Sequence, residues 1–164
     1  MTVRPEVPAD TAAIEDVTRR AFTWDDGRAE NAMIGAFRAS ADFRAEWSLV
    51  MVQGGMIVGH GMIAPCDLHG GDADQPRRAL LLGPMSVAPE HQRQGVGSAL
   101  VRGLLERAQS SGEALVVLWG HPEFYPRFGF RPAGDHGLLP ETPAAMAYPL
   151  QPDLSAYAGL ELPR

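Results

Sequence analysis

The most informative segment of this chain is Val87-Ala-Pro-Glu-His-Gln-Arg-Gln-Gly-Val-Gly-Ser-Ala-Leu100. It predicts the end of a strand, a short loop with two glycines and the first turns of an amphipathic helix. The first amides of a helix lack an intrahelical acceptor and together carry roughly half a positive charge. Because Gly95 and Gly97 have no Cβ atom, a large anion can approach the main chain closely. The segment therefore predicts a binding site for a pyrophosphate.

Three classes of glycine loop bind nucleotides in this way, and two do not fit. A P-loop ends in Gly-Lys-Ser/Thr, and this chain contains no lysine. A dinucleotide fingerprint needs a third small residue where this chain has Leu100, and an acidic residue after the next strand, where it has Trp119-Gly120-His121. The third class, Gln/Arg-x-x-Gly-x-Gly/Ala, is matched by Gln92-Arg93-Gln94-Gly95-Val96-Gly97. This hexapeptide resembles motif A of the GCN5-related N-acetyltransferases.

A second segment, His121-Pro-Glu-Phe-Tyr-Pro-Arg-Phe-Gly-Phe130, resembles motif B of the same family. It follows the continuous apolar run 115–118, which is typical of a strand buried on both faces. In the family motif, a tyrosine four residues before the glycine of Gly-Phe is the general acid, and Tyr125 stands four residues before Gly129. The resemblance covers most of residues 1–150. It is greatest to the small stand-alone predicted acetyltransferases of bacteria.

The resemblance implies an α/β (α+β) fold in a single domain of residues 1–164. Its central sheet is expected to be mixed, mostly antiparallel, splayed at the cofactor cleft and flanked by helices. Gly83-Pro84 interrupts one strand and predicts a bulge or splayed pairing there. We expect strands at 2–4, 47–52, 56–65, 79–87, 114–118, 130–133 and 144–150, and helices at 10–22, 29–39 and 96–109. Residues 69–78 and 134–142 are expected to form loops, and Asp10 is expected to cap the first helix.

The implied reaction moves an acetyl group from acetyl-CoA to a primary amine of a small molecule or peptide, by direct attack in a ternary complex. The backbone of the glycine loop would hold the pyrophosphate, and the strand before it would pair with the pantetheine arm. The expected cofactor-binding residues are Met85, Ser86, Val87, Gln92, Arg93, Gln94, Gly95, Val96, Gly97 and Ser98. The N–H of Met85 is expected to face the thioester oxygen. Pro126 is expected to hold Tyr125 outside the helical region.

Tyr125 is the expected general acid, although without the motif a packing aromatic would be the better interpretation. The general base stays open among His60, His121, Glu123 and a bound water. A catalytically inactive acyl-CoA-binding sensor, or an interaction module on the same fold, is the alternative function.

Composition limits the classes of partner and the cellular location that the protein is expected to have. A net charge of −6 and a pI of about 5.3 argue against a broad nucleic-acid surface. One cysteine excludes an intrachain disulfide, and the five histidines lack metal-ligand spacing, so no metal is expected. The N-terminus has no signal-peptide core and no apolar run is long enough to cross a membrane, which predicts a cytoplasmic protein. A homodimer is possible because these folds often pair.

Overall fold

The computed structural model describes residues 1–164 and contains three α-helices and eight strands. The helices are α1 (Thr11–Ala21), α2 (Arg28–Ala39) and α3 (Val96–Gln109). The strands are β1 (Thr2–Pro5), β2 (Ser48–Gln53), β3 (Met56–Gly70), β4 (Arg77–Val87), β5 (Leu115–Trp119), β6 (Arg131–Pro132), β7 (Ala145–Pro149) and β8 (Leu160–Glu161). None of the helices combines the length and the apolar character needed to cross a bilayer.

The strands form a mixed, mostly antiparallel sheet, as predicted. Their order is β1-β2-β3-β4-β5-β7-β6, and β8 pairs with β3 outside this path. The parallel pair is β4 with β5, and its register joins Leu80 to Val116 and Leu81 to Val117. These residues lie just before Gly83-Pro84, across which β4 continues without a break. The splaying expected beyond that point stays a prediction.

The chain divides into two compact units, and the first consists of Met1–Ala64 and Gly83–Arg107. Its helices α1 and α2 bury one apolar face each, against alternate residues of β2 and β3. The resulting core cluster contains Ile14, Ile34, Val50 and Met62.

Two glycines on the other face of β3 bring α3 close to the sheet. A Cβ atom at Gly59 would lie 2.7 Å from Val96 and 3.2 Å from Leu100. At Gly61 it would lie 3.2 Å from Leu104. These distances are shorter than ordinary carbon contacts, so a side chain at either position would force α3 residues to shift, and the two glycines let α3 pack close to β3. The first turn of α3 is thereby fixed against the strands that precede the glycine loop.

The second compact unit consists of Pro65–Leu82 and Ala108–Arg164. Its core is formed by side chains from β3, β4, β5, β7 and the C-terminal segment. It contains Leu68, Ala79, Ala114, Leu115, Val117, Ala133, Leu138, Ala145, Ala147, Leu154, Leu160 and Leu162.

The loop predicted at 69–78 is wrong at both ends. β3 continues to Gly70 instead of ending at residue 65, and β4 already begins at Arg77. The extension of β3 is stabilised by burial of Leu68 and by pairing with β8, where His69 faces Glu161 and Gly70 faces Leu160. The residues of this pairing lie far apart in sequence, so the sequence alone does not reveal it. The local turn signal of Gly70-Gly71 therefore led to the prediction of a loop.

The capping role predicted for Asp10 is also wrong. Its side chain makes no capping hydrogen bond to α1. Instead its carboxylate accepts hydrogen bonds from the Arg4 guanidinium at 2.7 and 3.1 Å and from the backbone N–H of Val7 at 2.8 Å. The hydrogen bond from Arg4 is the main reason why the pKa of Asp10 lies below its ordinary value. A bidentate arginine is a stronger partner than a single helix amide, so the carboxylate joins β1 to the turn before α1.

Candidate active site

The glycine loop, residues 92–98, connects β4 to α3 through an unusual backbone. Arg93 has a φ of 61° and Gly95 a φ of 87°, so both lie in the left-handed region. Only glycine adopts this region without cost, and a left-handed arginine is uncommon. Turns of this kind direct main-chain N–H groups into a shared concavity that binds anions. The unusual conformation of Arg93 therefore lies where the sequence predicted an anion site.

Side-chain amides hold this loop in shape. Gln92 donates a hydrogen bond from Nε2 to the carbonyl oxygen of Val87 at 3.1 Å. Gln94 donates from Nε2 to the carbonyl oxygen of Glu90, also at 3.1 Å. Sequence reasoning placed both glutamines among the cofactor contacts, and the structure shows their side chains bonded to the loop's own backbone.

The start of α3 supplies further donors. Gly95 accepts the first helical hydrogen bond, from the N–H of Ala99 at 3.0 Å. The helix therefore has no internal acceptor for the amides of Val96, Gly97 and Ser98. The first turn of α3 contains no acidic side chain that would repel an anion. A Cβ atom at Gly95 would meet no protein atom within 4 Å, so the space beside the loop is open.

A carboxylate next to the loop is neutralised by α1. Glu90 precedes the loop in a short 3-10 helix, Pro89–His91, and forms an ion pair with Arg20. This pairing is the main reason why the pKa of Glu90 lies below its ordinary value and that of Arg20 above it. Arg20 therefore compensates a negative charge that would otherwise oppose anion binding at the loop.

At the end of β4, the backbone N–H and C=O groups of successive residues point alternately to the two edges of the strand. The N–H of Ala88 donates to the carbonyl oxygen of Val58 on β3 at 2.9 Å. In an antiparallel pair, alternate residues direct their polar groups to the same neighbour, so Met85 and Val87 direct theirs to the opposite edge. The bond that Gln92 makes to the Val87 carbonyl agrees with this direction. The Met85 and Val87 amides thus have the orientation expected for pairing with an extended ligand.

Ser86 lies between these two residues and its side chain is buried against α1. It is 3% exposed, and its Oγ lies 3.4 Å from the Oγ1 of Thr18. Thr18 in turn donates to the carbonyl oxygen of Ile14 at 2.8 Å. The Ser86 hydroxyl therefore serves the packing of α1. By the same alternation the backbone polar groups of Ser86 face β3, as those of Ala88 do, so they are not directed to the edge at which a ligand would pair.

Tyr125 lies in the second compact unit, at the start of the 3-10 helix Tyr125–Phe128. The expectation that Pro126 holds Tyr125 outside the helical region is wrong. A proline is tolerated in the first turn of a helix because the amide it lacks would have no intrahelical acceptor there. The Tyr125 ring is 8% exposed and packs edge-to-face on Phe124 and Phe130, at centroid distances of 5.0 and 5.7 Å. Burial raises the pKa of Tyr125 to about 12, so the hydroxyl keeps its proton at neutral pH.

His60 has the properties of a structural residue. It is completely buried, and its Nε2 lies 2.8 Å from the Ser48 hydroxyl. Burial, with a smaller contribution from the positive charge of Arg38, lowers the pKa of His60 to about 3. An imidazole with this pKa is a poor proton acceptor at neutral pH, and it does not contact solvent. Among the candidate bases of the sequence analysis, His121 and Glu123 are exposed.

Comparison with known proteins gives the same family as the motifs. A family model described as "Acetyltransferase (GNAT) domain" matches residues 2–133. Two proteins of Escherichia coli K12, YjhQ and YhbS, are similar in sequence, and both are named as uncharacterized N-acetyltransferases. YjhQ is 33% identical over 130 residues, which cover 79% of this chain and 69% of YjhQ. YhbS is 30% identical over 138 residues, which cover 84% of this chain and 78% of YhbS.

Solved structures agree with this result over nearly the whole chain. The E. coli YhbS structure in complex with CoA has a TM-score of 0.80 at 28% identity and covers 99% of this chain and 89% of its own. A GNAT-family acetyltransferase of Brucella melitensis in complex with acetyl-CoA has a TM-score of 0.75 at 29% identity, covering 96% and 92%. The motifs, the sheet and these similarities together show that the chain belongs to the GCN5-related N-acetyltransferase (GNAT) family.

Proposed function

We propose that this protein transfers an acetyl group from acetyl-CoA to a primary amine of a small molecule or peptide. The observation that carries the proposal is the glycine loop. Left-handed residues, the first amides of α3 and the open space beside Gly95 support an anion site there, and glutamine side chains hold the loop's shape. The CoA and acetyl-CoA complexes of the two similar structures support the same ligand.

In this proposal the main chain of residues 93–98 binds the pyrophosphate, with help from the α3 dipole. The amides of Met85 and Val87 pair with the pantetheine arm, and Ser86 holds the strand between them against α1 through its contact with Thr18. The Met85 N–H stabilises negative charge on the carbonyl oxygen while the amine attacks. Val96 and Leu100 hold α3 against Gly59 and so fix the height of these donors above the sheet.

Tyr125 is proposed as the donor to the leaving sulfur. As the new C–N bond forms and the C–S bond breaks, the amine gives up a proton and the sulfur leaves as a thiolate. An ordinary thiol has a pKa of about 8.5, so its thiolate is a weaker base than a Tyr125 phenolate. The pKa of about 12 therefore favours a hydrogen bond from the Tyr125 hydroxyl to the sulfur over early transfer of its proton.

The amine must lose its proton to a group other than His60, because that side chain is buried and has a pKa of about 3. His121, Glu123 and a bound water are the remaining acceptors. His121 lies close to Tyr125 along the chain, and its carbonyl oxygen accepts the backbone N–H of Phe124 at 3.1 Å. Its ring is exposed at the start of the segment that carries Tyr125.

The proposal is tested with acetyl-CoA and a panel of peptide α-amines, polyamines and aromatic amines, by following the release of free thiol. Calorimetry measures CoA binding on the same preparation. Amine-dependent thiol release together with CoA binding is the expected result. CoA binding without release for any amine would favour the inactive sensor, and absence of CoA binding would refute both functions.

A further inference from the structure

We propose that Gly120 is a positioning residue, whose missing side chain leaves the space in which the Tyr125 ring is held. A Cβ atom at position 120 would lie 2.4 Å from Cε2 and 2.9 Å from Cδ2 of Tyr125. Real carbon contacts are not this short, so the ring lies directly against the Gly120 main chain. The inference rests on the proposed role of Tyr125 as the donor to the sulfur.

The backbone conformation does not itself require glycine at this position. Gly120 is absent from the residues with positive φ, so an alanine would meet no backbone strain there. The close approach of the Tyr125 ring is therefore the main reason for glycine, and the Cδ1 atom of Leu118, at 3.2 Å, is the next contact. This distinguishes Gly120 from Gly129 nearby, whose φ is 103°.

Neither the Gly120 main chain nor the Tyr125 ring can move easily. The main chain at Gly120 is fixed because its N–H donates to the carbonyl oxygen of Ala144 at 2.9 Å, directly after Trp119 pairs with Ala145. The Tyr125 ring is confined by Phe124 and by Phe130, which is 1% exposed. A methyl group at position 120 would therefore displace the ring by about 1 Å, the shift needed to reach an ordinary carbon separation.

A displacement of the Tyr125 ring by this distance should impair its hydrogen bond to the sulfur but should not affect binding of acetyl-CoA at the glycine loop. Hydrogen bonds between O–H and an acceptor weaken steeply with distance and angle. A misplacement of about 1 Å at a reacting group lowers rates by up to roughly 100-fold. Gly120→Ala should therefore reduce kcat by about 10- to 100-fold and leave the KM for acetyl-CoA within about twofold.

The test combines Gly120→Ala with Tyr125→Phe in a double-mutant cycle, measured with acetyl-CoA and the best amine of the panel. If Gly120 acts through the hydroxyl, Gly120→Ala has no further effect on kcat once the hydroxyl is removed. Equal loss of kcat in both backgrounds, or no loss in the wild type, would overturn the inference. Gly134→Ala is the control, because the three atoms nearest its Cβ all belong to the flexible Glu141 side chain, the first at 3.1 Å.

A stability cycle covers the case in which Gly120→Ala folds poorly. Tyr125→Ala removes the ring and leaves the Leu118 Cδ1 atom, at 3.2 Å, as the nearest contact, so adding Gly120→Ala should then lower the melting temperature much less than it does in the wild type. An equal drop in melting temperature with and without the ring would show that the ring is not the obstacle, and the inference would fail. If the wild-type protein shows no acetyl transfer at all, the proposed function is refuted instead.

Discussion

Replacement of Gly95 by alanine has two separable effects: strain in the left-handed backbone, which lowers stability, and a methyl group in the ligand space, which weakens CoA binding. Gly95 has a φ of 87°, and holding an alanine in the left-handed region costs about 1–2 kcal/mol of stability. No protein atom lies within 4 Å of the Cβ that alanine would add. The methyl group would instead enter the open space that we assign to the pyrophosphate.

Gly112→Ala is a closely matched control. Gly112 has a φ of 81°, and its added Cβ would also meet no atom within 4 Å. Both variants should therefore lose about the same free energy of unfolding, measured by urea denaturation. Only Gly95→Ala should also weaken CoA binding, by at least about tenfold or about 1.4 kcal/mol in calorimetry. An equal Kd for the two variants would refute the assignment of the pyrophosphate to this loop.

Three further predictions concern the titratable groups of Tyr125, His60 and Cys66. Tyr125→Phe should lower kcat by about 100-fold with CoA affinity unchanged, and the wild-type rate should show no tyrosine ionisation below about pH 11; an unchanged kcat would remove Tyr125 from the mechanism. Between pH 6.5 and 5 the unfolded chain gains a proton at His60 that the folded chain, with a pKa of about 3, does not. The free energy of unfolding should therefore fall by about 1.6 kcal/mol more over this range in the wild type than in His60→Asn; equal slopes for both proteins would contradict this. Partial burial, reinforced by Asp67 and Glu113, raises the pKa of Cys66 to about 12, so Ellman's reagent should label the native protein much more slowly than the unfolded protein; equal labelling rates would show otherwise.

The helix and the glycine loop could be predicted from the sequence because their signals are local. α3 spans Val96–Gln109 as expected, and Val96, Leu100 and Leu104 are buried on one face. The predicted hairpin between β2 and β3 is confirmed as well, since Gly54 and Gly55 both have positive φ. In each case neighbouring residues determine the backbone without help from distant parts of the chain.

Features that depend on distant partners were missed. The end of β3 is set by β8, and Asp10 binds Arg4 in preference to the helix amides. The side-chain bonds of Gln92 and Gln94 depend on a loop shape that only the folded backbone provides. A hydrogen-bonded structural role for His60 was the favoured interpretation and is confirmed, but its partner Ser48 follows from strand pairing, which the sequence does not specify residue by residue.

The central claim is that the main-chain amides of residues 93–98 bind the pyrophosphate of CoA. It is tested most directly by titrating ¹⁵N-labelled protein with CoA and, separately, with pantetheine, which lacks the pyrophosphate. We predict that the amide resonances of Arg93, Gly95, Gly97 and Ser98 shift strongly with CoA and hardly with pantetheine. Saturating CoA binding that leaves these four resonances unmoved would contradict the claim.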